Sequence, residues 1–416
     1  MINNKQKKML TNISEIRGEF PILTKLIYSK PLVYFDNAAT SQRPKAVINT
    51  VNLMNSSING NIHRAPHKLS NDATALYEEA RDKIQSFINA KHREEVVFTS
   101  GTTASINIIA GSFSKSMLKK GDTVILSELE HHSNIVPWQF VRDEYGINIK
   151  VIPTDESGRL LTDRLSDLID STVKLVSVTH ISNVTGLINP IEKIIEISHN
   201  KGVKVLIDGA QGIVHSKVDV QKLDCDFYVF SGHKIFGPTG IGIMYGKYDL
   251  LEQMQPWMGG GDMIESVTFE KTTYAPLPLK FDAGTSNYVA AAGLGSAVDF
   301  ILSIDPNFVN KHEESIVEYM YKELKQINNL TLYGDDSFNR IPLFSFNIKG
   351  LHPSDIATLM DKTGVALRSG SLCAEPLMRR LNINGVVRAS LLIYNTIDEA
   401  EYFIDSLKRV INILSK

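Results

Sequence analysis

Lys234 is the residue around which the possible chemistry of this sequence gathers. It ends the segment Ser231-Gly-His-Lys234, which follows the apolar, β-prone run from Phe227 to Phe230. That run predicts a short buried strand, and the Ser-Gly pair predicts a turn at its end. At the carboxyl end of a strand in an α/β sheet, partial desolvation would lower the pKa of the lysine and make its amine a usable nucleophile. Taken alone, the segment fits a surface lysine equally well.

Polar side chains follow several other apolar runs of the chain in the same way. In a doubly wound α/β sheet, residues that follow strands line one crevice, so we expect these side chains to converge. The residues in question are Asn37, Thr102, Thr103, His131, Asn183, Asp208, Gln211 and His233, in addition to Lys234. Together they predict a ligand site with a carboxylate, an amine and a planar imidazole.

Ser100-Gly-Thr-Thr103 is the candidate anion site. It lies between a predicted strand and a predicted helix. Glycine permits close backbone approach, and the free N–H groups of a helix N-terminus suit a phosphate. The sequence is neither a Walker motif nor G-x-G-x-x-G, so it does not indicate ATP or a dinucleotide. A plain N-cap role for Thr102 is the alternative.

The histidines and cysteines predict no metal site. His131 and His132 are adjacent, so their side chains point apart, and no helical His-x-x-x-His pattern or nearby cysteine completes a ligand set. Only two cysteines occur, which excludes a disulfide scaffold. Cys225 is predicted to be a small buried residue. Cys373 lies in a Gly/Ser loop and is expected to be accessible.

The alternation of strand and helix patterns predicts an α/β protein with a mostly parallel sheet. We predict an N-terminal arm at residues 1–33 that packs with the small domain, a large domain at 34–288, and a smaller α/β domain at 289–416 that carries the Cys373 loop. His63 and Arg64 lie in a polar loop where core packing would not require them.

Composition excludes several classes of protein. Forty-four basic residues oppose 46 acidic ones, and the lysines are scattered along the 416 residues, which argues against nucleic acid as a partner. No apolar run reaches the length of a membrane span or a signal peptide, so we expect no membrane association and a cytoplasmic location.

The motifs together resemble the class V, fold-type I enzymes that use pyridoxal 5'-phosphate (PLP), and most of all the SufS-type cysteine desulfurases. The resemblance extends from about Tyr34 to Asn395. It rests on Ser231-Gly-His-Lys234 with Gly237-Pro-Thr-Gly240, Asp208-Gly-Ala-Gln211, Ser100-Gly-Thr-Thr103, Glu130-His-His132, Ser182-Asn183, and Arg388-Ala-Ser390 with Tyr394-Asn395. It implies a large domain with a mostly parallel seven-stranded sheet and a smaller α/β domain.

The resemblance also implies roles for single residues. Lys234 would attach PLP covalently, Asp208 would pair with the pyridine nitrogen, and His131 would stack on the ring. Gln211 would reach the phenolic oxygen, and Asn183 would lie beside the cofactor. The phosphate would be held by Thr102, Thr103, Ser231 and His233, with Thr285 supplied by the second subunit of a homodimer. Arg388 would clamp the substrate carboxylate, and Asn37, His63 and Arg64 complete the predicted substrate-binding set.

The reaction implied is the conversion of L-cysteine to L-alanine. In it Lys234 removes the Cα proton and Cys373 takes the sulfur as a persulfide, which an acceptor protein of the SufE or SufU type carries toward iron–sulfur cluster assembly. Three positions depart from the family pattern. Ser371 and Leu372 stand where SufS-type proteins commonly have two histidines, and Ala104 stands where an acidic residue is common.

Three alternatives remain open from the sequence. L-Selenocysteine could be the substrate in place of L-cysteine. Another class V reaction, such as transamination or β-elimination, would not require Cys373. An inactive scaffold is disfavoured because Lys234, Asp208, His131, Arg388 and Cys373 are all present.

Overall fold

The structure is a computed structural model that describes residues 9–334 and 339–415. The helices within these residues are α1 (Ile13–Gly18), α2 (Lys45–Ser57), α3 (Lys68–Phe87), α4 (Thr102–Met117), α5 (Val136–Tyr145), α6 (Leu165–Leu168), α7 (Ile191–His199), α8 (Gly212–His215), α9 (Val220–Leu223), α10 (Tyr248–Gln253), α11 (Tyr288–Leu302), α12 (Pro306–Lys325), α13 (Pro353–Asp361), α14 (Glu375–Arg380) and α15 (Ile397–Leu414). No helix in these ranges is both long and apolar enough to cross a membrane.

The strands of the same residues form one large sheet and several smaller ones. They are β1 (Leu26–Ile27), β2 (Lys30–Pro31), β3 (Val33–Tyr34), β4 (Val96–Thr99), β5 (Thr123–Ser127), β6 (Asn148–Ile152), β7 (Val173–Thr179), β8 (Lys204–Asp208), β9 (Phe227–Ser231), β10 (Gly242–Gly246), β11 (Ile264–Val267), β12 (Thr272–Tyr274), β13 (Leu330–Tyr333), β14 (Leu343–Ile348), β15 (Val365–Ala366), β16 (Arg368–Gly370) and β17 (Val386–Ser390).

The large sheet has seven strands in the order β4-β10-β9-β8-β7-β5-β6. Strands β9, β8, β7, β5 and β6 pair in parallel, while β10 is antiparallel to both of its neighbours. Every residue of β9 is buried, because helices cover both faces of a parallel sheet. The predicted α/β architecture with a mostly parallel seven-stranded sheet is confirmed, and the strand predicted before Ser231 is β9.

A second sheet has the order β13-β14-β17-β16, and its strands pair in an antiparallel manner. Its core is apolar: Phe344 and Phe346 on β14 are fully buried and pack in one cluster with Phe403 and Leu407 of α15. Strand β3 joins this part of the molecule, since Val33 pairs with Val365 of β15. The smaller α/β unit therefore takes up residues from both ends of the chain.

Helix α11 departs from the predicted boundary at 288/289. Its Ala291, Leu294 and Ala297 are fully buried in the same apolar cluster as Tyr77 and Ile84 of α3. Small residues allow this close approach: a Cβ added at Gly295 would lie 3.0 Å from the Cβ of Ala80. Packing therefore places α11 with the large sheet. The C-terminal part of the smaller unit begins at α12. A change from loop to helix composition in the sequence does not reveal which core the helix enters, and the domain boundary at 288/289 stays a prediction.

The described part of the N-terminal arm contacts both units, whereas the sequence predicted contact with the small domain. Phe20 is buried with ring contacts to Phe236 and Phe300, on the side of the large sheet. Arg17 forms an ion pair with Glu399 at the start of α15, at 2.5 Å. Residues 1–8 of the predicted arm lie outside the described residues.

Candidate active site

The carboxyl ends of β5, β7, β8 and β9 meet at one cleft with a volume of about 280 Å³. This is the edge of a parallel sheet at which ligands usually bind. Most of the predicted site residues line the cleft: Thr102, Thr103, His131, Asn183, Asp208, Gln211, Ser231, His233, Lys234, Cys373 and Arg388. The convergence predicted from strand ends is therefore seen in the structure.

Lys234 ends a single 3-10 turn, Gly232–Lys234, that follows β9 directly. The turn is tight: the Gly237 N–H donates to the Gly232 carbonyl at 2.9 Å, and a Cβ at Gly237 would lie 2.9 Å from that oxygen. Burial lowers the pKa of Lys234 to about 8, although the nearby Asp208 carboxylate opposes this shift. About a tenth of the amine is therefore neutral at pH 7, against less than a thousandth for an ordinary lysine, and the neutral form is the one that acts as a nucleophile or base.

Asp208 is the last residue of β8 and is nearly fully buried. One of its carboxylate oxygens accepts a hydrogen bond from the Ala210 N–H at 2.9 Å. Burial raises the pKa of Asp208, whereas the Ala210 N–H and the Lys234 amine both lower it. A carboxyl group in such a place interacts strongly with a positively charged partner because little water screens it.

His131 follows β5 and is oriented by Ser133. Its Nδ1 accepts the Ser133 N–H at 3.1 Å and lies 2.8 Å from the Ser133 hydroxyl. An accepting Nδ1 places the proton of the neutral imidazole on Nε2. Burial, followed by the positive charge of Lys234, lowers the pKa of His131 to about 4, so the ring is uncharged at neutral pH. The sequence did not single out Ser133, although a serine two residues after a histidine is a plausible local acceptor or donor.

The residues from Gly101 to Thr103 and Ser231 form a cradle for an anion. Helix α4 begins at Thr102, so its first N–H groups have no partner within the helix. The Ser231 hydroxyl accepts the Thr102 N–H at 2.8 Å and lies 2.7 Å from the Thr102 hydroxyl. Gly101 has a φ of +148°, which favours glycine, and a Cβ at Gly242 would lie 2.4 Å from the Gly101 Cα. The site is therefore shaped by glycine and lined with neutral donors.

Arg388 lies on β17 and reaches the cleft from the second sheet. Its guanidinium donates to the Asn183 carbonyl at 2.9 Å and to the Asp36 carboxylate at 3.2 Å. Burial lowers the pKa of Arg388, and Asp36 opposes this shift. The buried Nε of Arg388 has no hydrogen-bond acceptor among the described residues. A buried donor of this kind requires a partner, and a bound carboxylate would supply one.

Cys373 lies in a loop, residues 371–374, which we call the thiol loop. The loop joins β16 to α14, and the Cys373 side chain is exposed yet lines the cleft. Leu372 and Ala374 on either side are buried in the apolar cluster of the large sheet. The smaller unit therefore presents the thiol to the cleft by docking this loop on the large sheet. Cys225 is fully buried, away from the cleft lining.

Four predicted site residues lie outside the cleft lining. Asn37 is buried, donates to the Ser390 and Tyr34 carbonyls and accepts a hydrogen bond from the Tyr394 hydroxyl. The structure therefore places its side chain in a polar contact between the two units. Thr285 is exposed, and its predicted role depends on a second subunit.

His63 and Arg64 are the other two. His63 contacts Glu78 at 3.2 Å, and Arg64 forms an ion pair with Asp262 at 2.5 Å. The substrate and cofactor roles of all four residues remain predictions. In the described ranges, no group of three or more His, Cys, Asp or Glu side chains is arranged to hold a metal ion.

The sequence missed the second layer of polar residues around the cleft. Asp36 pairs with Arg388 and lies 3.8 Å from Arg368, which also lines the cleft. Glu130 is fully buried, accepts the Thr179 N–H at 3.0 Å and the Asn134 amide at 2.6 Å, and so connects the ends of β5 and β7. Burial raises the pKa of Glu130 to about 8. In the sequence Asp36 was visible only as a turn residue, whereas Glu130 belonged to the motif Glu130-His-His132 without a role of its own.

The fold and this set of side chains define a fold-type I PLP enzyme. The family model for class-V aminotransferases matches residues 33–403, and the chain belongs to that family. Its cofactor is PLP, and the residues present fit it: a helix N-terminus for the phosphate, a buried carboxylate, and a lysine whose pKa is lowered by burial.

Several proteins similar to this chain are cysteine desulfurases. One from Serratia proteamaculans is 43% identical over 97% of this chain and 99% of its own length. One from Synechococcus elongatus is 44% identical over 96% of this chain, which spans only 64% of that longer relative. Among solved structures, the cysteine desulfurase CsdA from Escherichia coli superposes with a TM-score of 0.90 at 36% identity, covering 97% of this chain and 99% of its own. The apo cysteine desulfurase from Thermococcus onnurineus gives 0.91 at 34% identity, covering 96% and 98%.

Proposed function

We propose that this chain is a PLP-dependent cysteine desulfurase, which converts L-cysteine to L-alanine and takes the sulfur onto Cys373. One observation carries the proposal: the thiol of Cys373 lines the same cleft as the amine of Lys234 and the guanidinium of Arg388. An aminotransferase or β-eliminating lyase needs the lysine and the arginine but has no use for a thiol in the cleft. The names of the similar proteins support the same activity.

Arg388 and Lys234 bind and activate the amino acid. Arg388 receives the substrate carboxylate, which satisfies its buried Nε. PLP, when bound, withdraws electrons from the substrate Cα and makes its proton acidic. The Lys234 amine takes that proton, because a pKa of about 8 leaves it partly unprotonated at neutral pH. His131, neutral and fixed by Ser133, offers a flat uncharged ring at the same cleft.

Cys373 takes the sulfur. Its thiolate attacks the substrate sulfur, an S–S bond forms, the substrate C–S bond breaks, and the electron pair leaves with the carbon. Protonation of that carbon gives L-alanine, and the enzyme keeps a persulfide on Cys373. One L-cysteine and one thiol thus yield one L-alanine and one persulfide, so no external oxidant or reductant is needed until the sulfur is passed on.

The finer assignment is a SufS-type enzyme of the cytoplasm that supplies sulfur for iron–sulfur cluster assembly through a SufE- or SufU-type acceptor. Exposure of Cys373 supports transfer to a protein, since a buried persulfide would be out of reach. Ser371 and Leu372 replace the usual histidines, so the proton near the thiol must be handled by other groups. L-Selenocysteine is the alternative substrate, and it would use the same residues.

A homodimer is part of the proposal. Thr285 is exposed and outside the cleft of its own chain, which leaves it available to a second subunit. Exposed apolar side chains nearby in sequence, Trp257, Val267 and Phe269, would be covered by a partner. Light scattering of the purified protein tests this point, and a monomeric mass at micromolar concentration would contradict it.

The activity is tested with purified protein, PLP and L-cysteine. We expect one L-alanine per active subunit without a reductant, and continuous release of L-alanine and sulfide with dithiothreitol or an acceptor. Cys373→Ser should keep the visible absorbance of bound PLP and lose sulfide release. Cys225→Ser is the matched control because that thiol is fully buried away from the cleft lining.

Three outcomes would overturn the assignment. Equal consumption of the amino acid by Cys373→Ser and the parent protein, with a 2-oxo acid as the product in place of L-alanine, would favour another class V reaction. Turnover of L-selenocysteine but not of L-cysteine would favour a selenocysteine lyase. Failure to bind PLP would identify a scaffold that has lost its chemistry.

A further inference from the structure

The backbone of the thiol loop is strained and is not stable without contacts from the rest of the protein. Leu372 and Cys373 have φ values of +55° and +56°, two consecutive residues in the left-handed region although neither is glycine. Such backbone persists only where surrounding contacts fix it. The contacts that fix this loop therefore determine where the Cys373 sulfur lies.

Those contacts come from the large sheet. The Asn183 amide donates to the Leu372 carbonyl at 2.9 Å, and the backbone N–H of His132 donates to the Cys373 carbonyl at 2.9 Å. Each of the two left-handed residues thus has its carbonyl held by a residue that follows a strand of the large sheet. The loop itself adds one turn bond, from the Ala374 N–H to the Ser371 carbonyl at 3.0 Å.

His132 holds the loop a second time through its side chain. Its Nε2 contacts the carboxylate of Glu375, the first residue of α14, and lies 3.2 Å from the Glu375 backbone N–H. The Ser371 hydroxyl donates to the other Glu375 oxygen at 2.7 Å, which ties the beginning of the loop to its end. The Glu375 carboxylate therefore links His132, which follows β5, to Ser371 at the beginning of the thiol loop.

The adjacent residue, His131, lines the cleft and belongs to the cofactor side. The two imidazole rings are 6.1 Å apart and tilted by 47°. One dipeptide thus directs one imidazole to the cleft and the next to the thiol loop. The backbone segment that carries the ring facing the cofactor therefore also contacts the thiol loop, through the His132 N–H.

We propose that His132 and Glu375 form a latch that positions Cys373 for attack on the substrate sulfur. His132 is a positioning residue, since its contacts are with the loop and α14 and not with the cleft. The inference rests on the proposed function for its effect on turnover, but the latch itself is a property of the fold. Ser371, at a position where the related enzymes commonly have a histidine, contributes to the same latch.

The test compares His132→Ala, Glu375→Ala, the double variant and the conservative His132→Gln, all as PLP-loaded protein. In a single turnover with L-cysteine and no reductant, we expect either alanine variant to form L-alanine about tenfold more slowly, with KM changed less than about twofold and the PLP spectrum unchanged. The double variant should be no slower than the single ones, because the latch is already lost. His132→Gln should recover most of the rate, since its amide can still donate to Glu375.

A second readout does not depend on activity. Hydrogen exchange of residues 371–376 should be faster in His132→Ala and Glu375→Ala, and iodoacetamide should alkylate Cys373 at a changed rate. His199→Ala is the matched control, because His199 also pairs with a carboxylate, that of Asp226 at 2.8 Å, but does so beyond the opposite ends of the strands. It should leave both readouts unchanged.

The two proposals fail in different ways. If the parent protein forms no L-alanine while the latch variants change hydrogen exchange and alkylation as expected, the latch is supported and the desulfurase function is contradicted. If all variants exchange, alkylate and turn over like the parent, the latch is wrong. Multiplicative loss in the double variant would also overturn it, because independent effects would mean that His132 and Glu375 do not act as a pair.

Discussion

The two sides of the cleft are built in different ways. The cofactor side consists of side chains at the ends of β5, β8 and β9 and at the start of α4, and these elements belong to the sheet and its packed helices. The thiol loop has no such support and is held by hydrogen bonds to Asn183 and His132 and by two buried neighbours of Cys373. One side is fixed by the core of the protein, and the other is docked onto it.

This difference suits the two tasks. A cofactor that must stay in place through many turnovers benefits from groups fixed by backbone geometry. A thiol with the proposed task of taking sulfur in the cleft and passing it to another protein must be accessible both from the cleft and from the surface. Substitutions on the cofactor side should therefore abolish PLP binding or transfer of the Cα proton. Substitutions around the thiol loop should alter only the transfer of sulfur to Cys373.

Lys234→Ala should have the largest effect. It removes the amine to which we assign cofactor binding and transfer of the Cα proton, so we expect L-alanine formation to fall by about 10⁴-fold or more. The visible absorbance of bound PLP should change, while thermal unfolding shifts little because Lys234 has a half-buried side chain at the cleft. L-Alanine is measured by chromatography, with Cys225→Ser as control. A loss below tenfold would mean that another group acts as the base.

Arg388→Lys should have an intermediate effect, because Arg388 connects the two sides. The lysine keeps the positive charge near Asp36 but loses the fork that contacts Asn183 and a ligand carboxylate together. Loss of one charge-assisted hydrogen bond corresponds to about 1.5–3 kcal/mol, so kcat/KM for L-cysteine should fall by about 10- to 150-fold. The loss should appear mainly in KM. An unchanged KM would show that the substrate carboxylate binds elsewhere.

The comparison also explains what the sequence could reveal. Asp208, His131 and Lys234 were predictable because each follows a strand of a regular sheet, and the parallel arrangement brings strand ends together. The placement of α11 and the contacts of the thiol loop were not, since they depend on which surfaces meet in three dimensions. His132 shows this most clearly: as one of two adjacent histidines it was weighed only as a metal ligand, and its contact with Glu375 joins residues 243 positions apart.

The smallest effect that we predict concerns the protonation of Lys234. Because burial lowers its pKa to about 8, PLP uptake by the apoenzyme, which needs the neutral amine, should rise about tenfold from pH 7 to pH 9 and then level off. With an ordinary lysine of pKa about 10.4, the rate of PLP uptake would instead rise about sevenfold more from pH 9 to pH 10. Stopped-flow absorbance of the apoenzyme mixed with PLP measures the midpoint.

Asp208→Asn sharpens this last prediction. The Asp208 carboxylate stabilises the protonated amine of Lys234. Replacing that carboxylate by a neutral amide should therefore move the midpoint of the pH dependence of PLP uptake to lower pH, even if the absorbance change itself becomes smaller or larger. Cys373→Ser, on the thiol loop, replaces a thiol that also favours the charged amine and should move the midpoint in the same direction, but less, since Asp208 has the stronger influence of the two. A midpoint that responds to Cys373 more than to Asp208 would mean that the thiol loop, not the strand ends, sets the reactivity of the lysine.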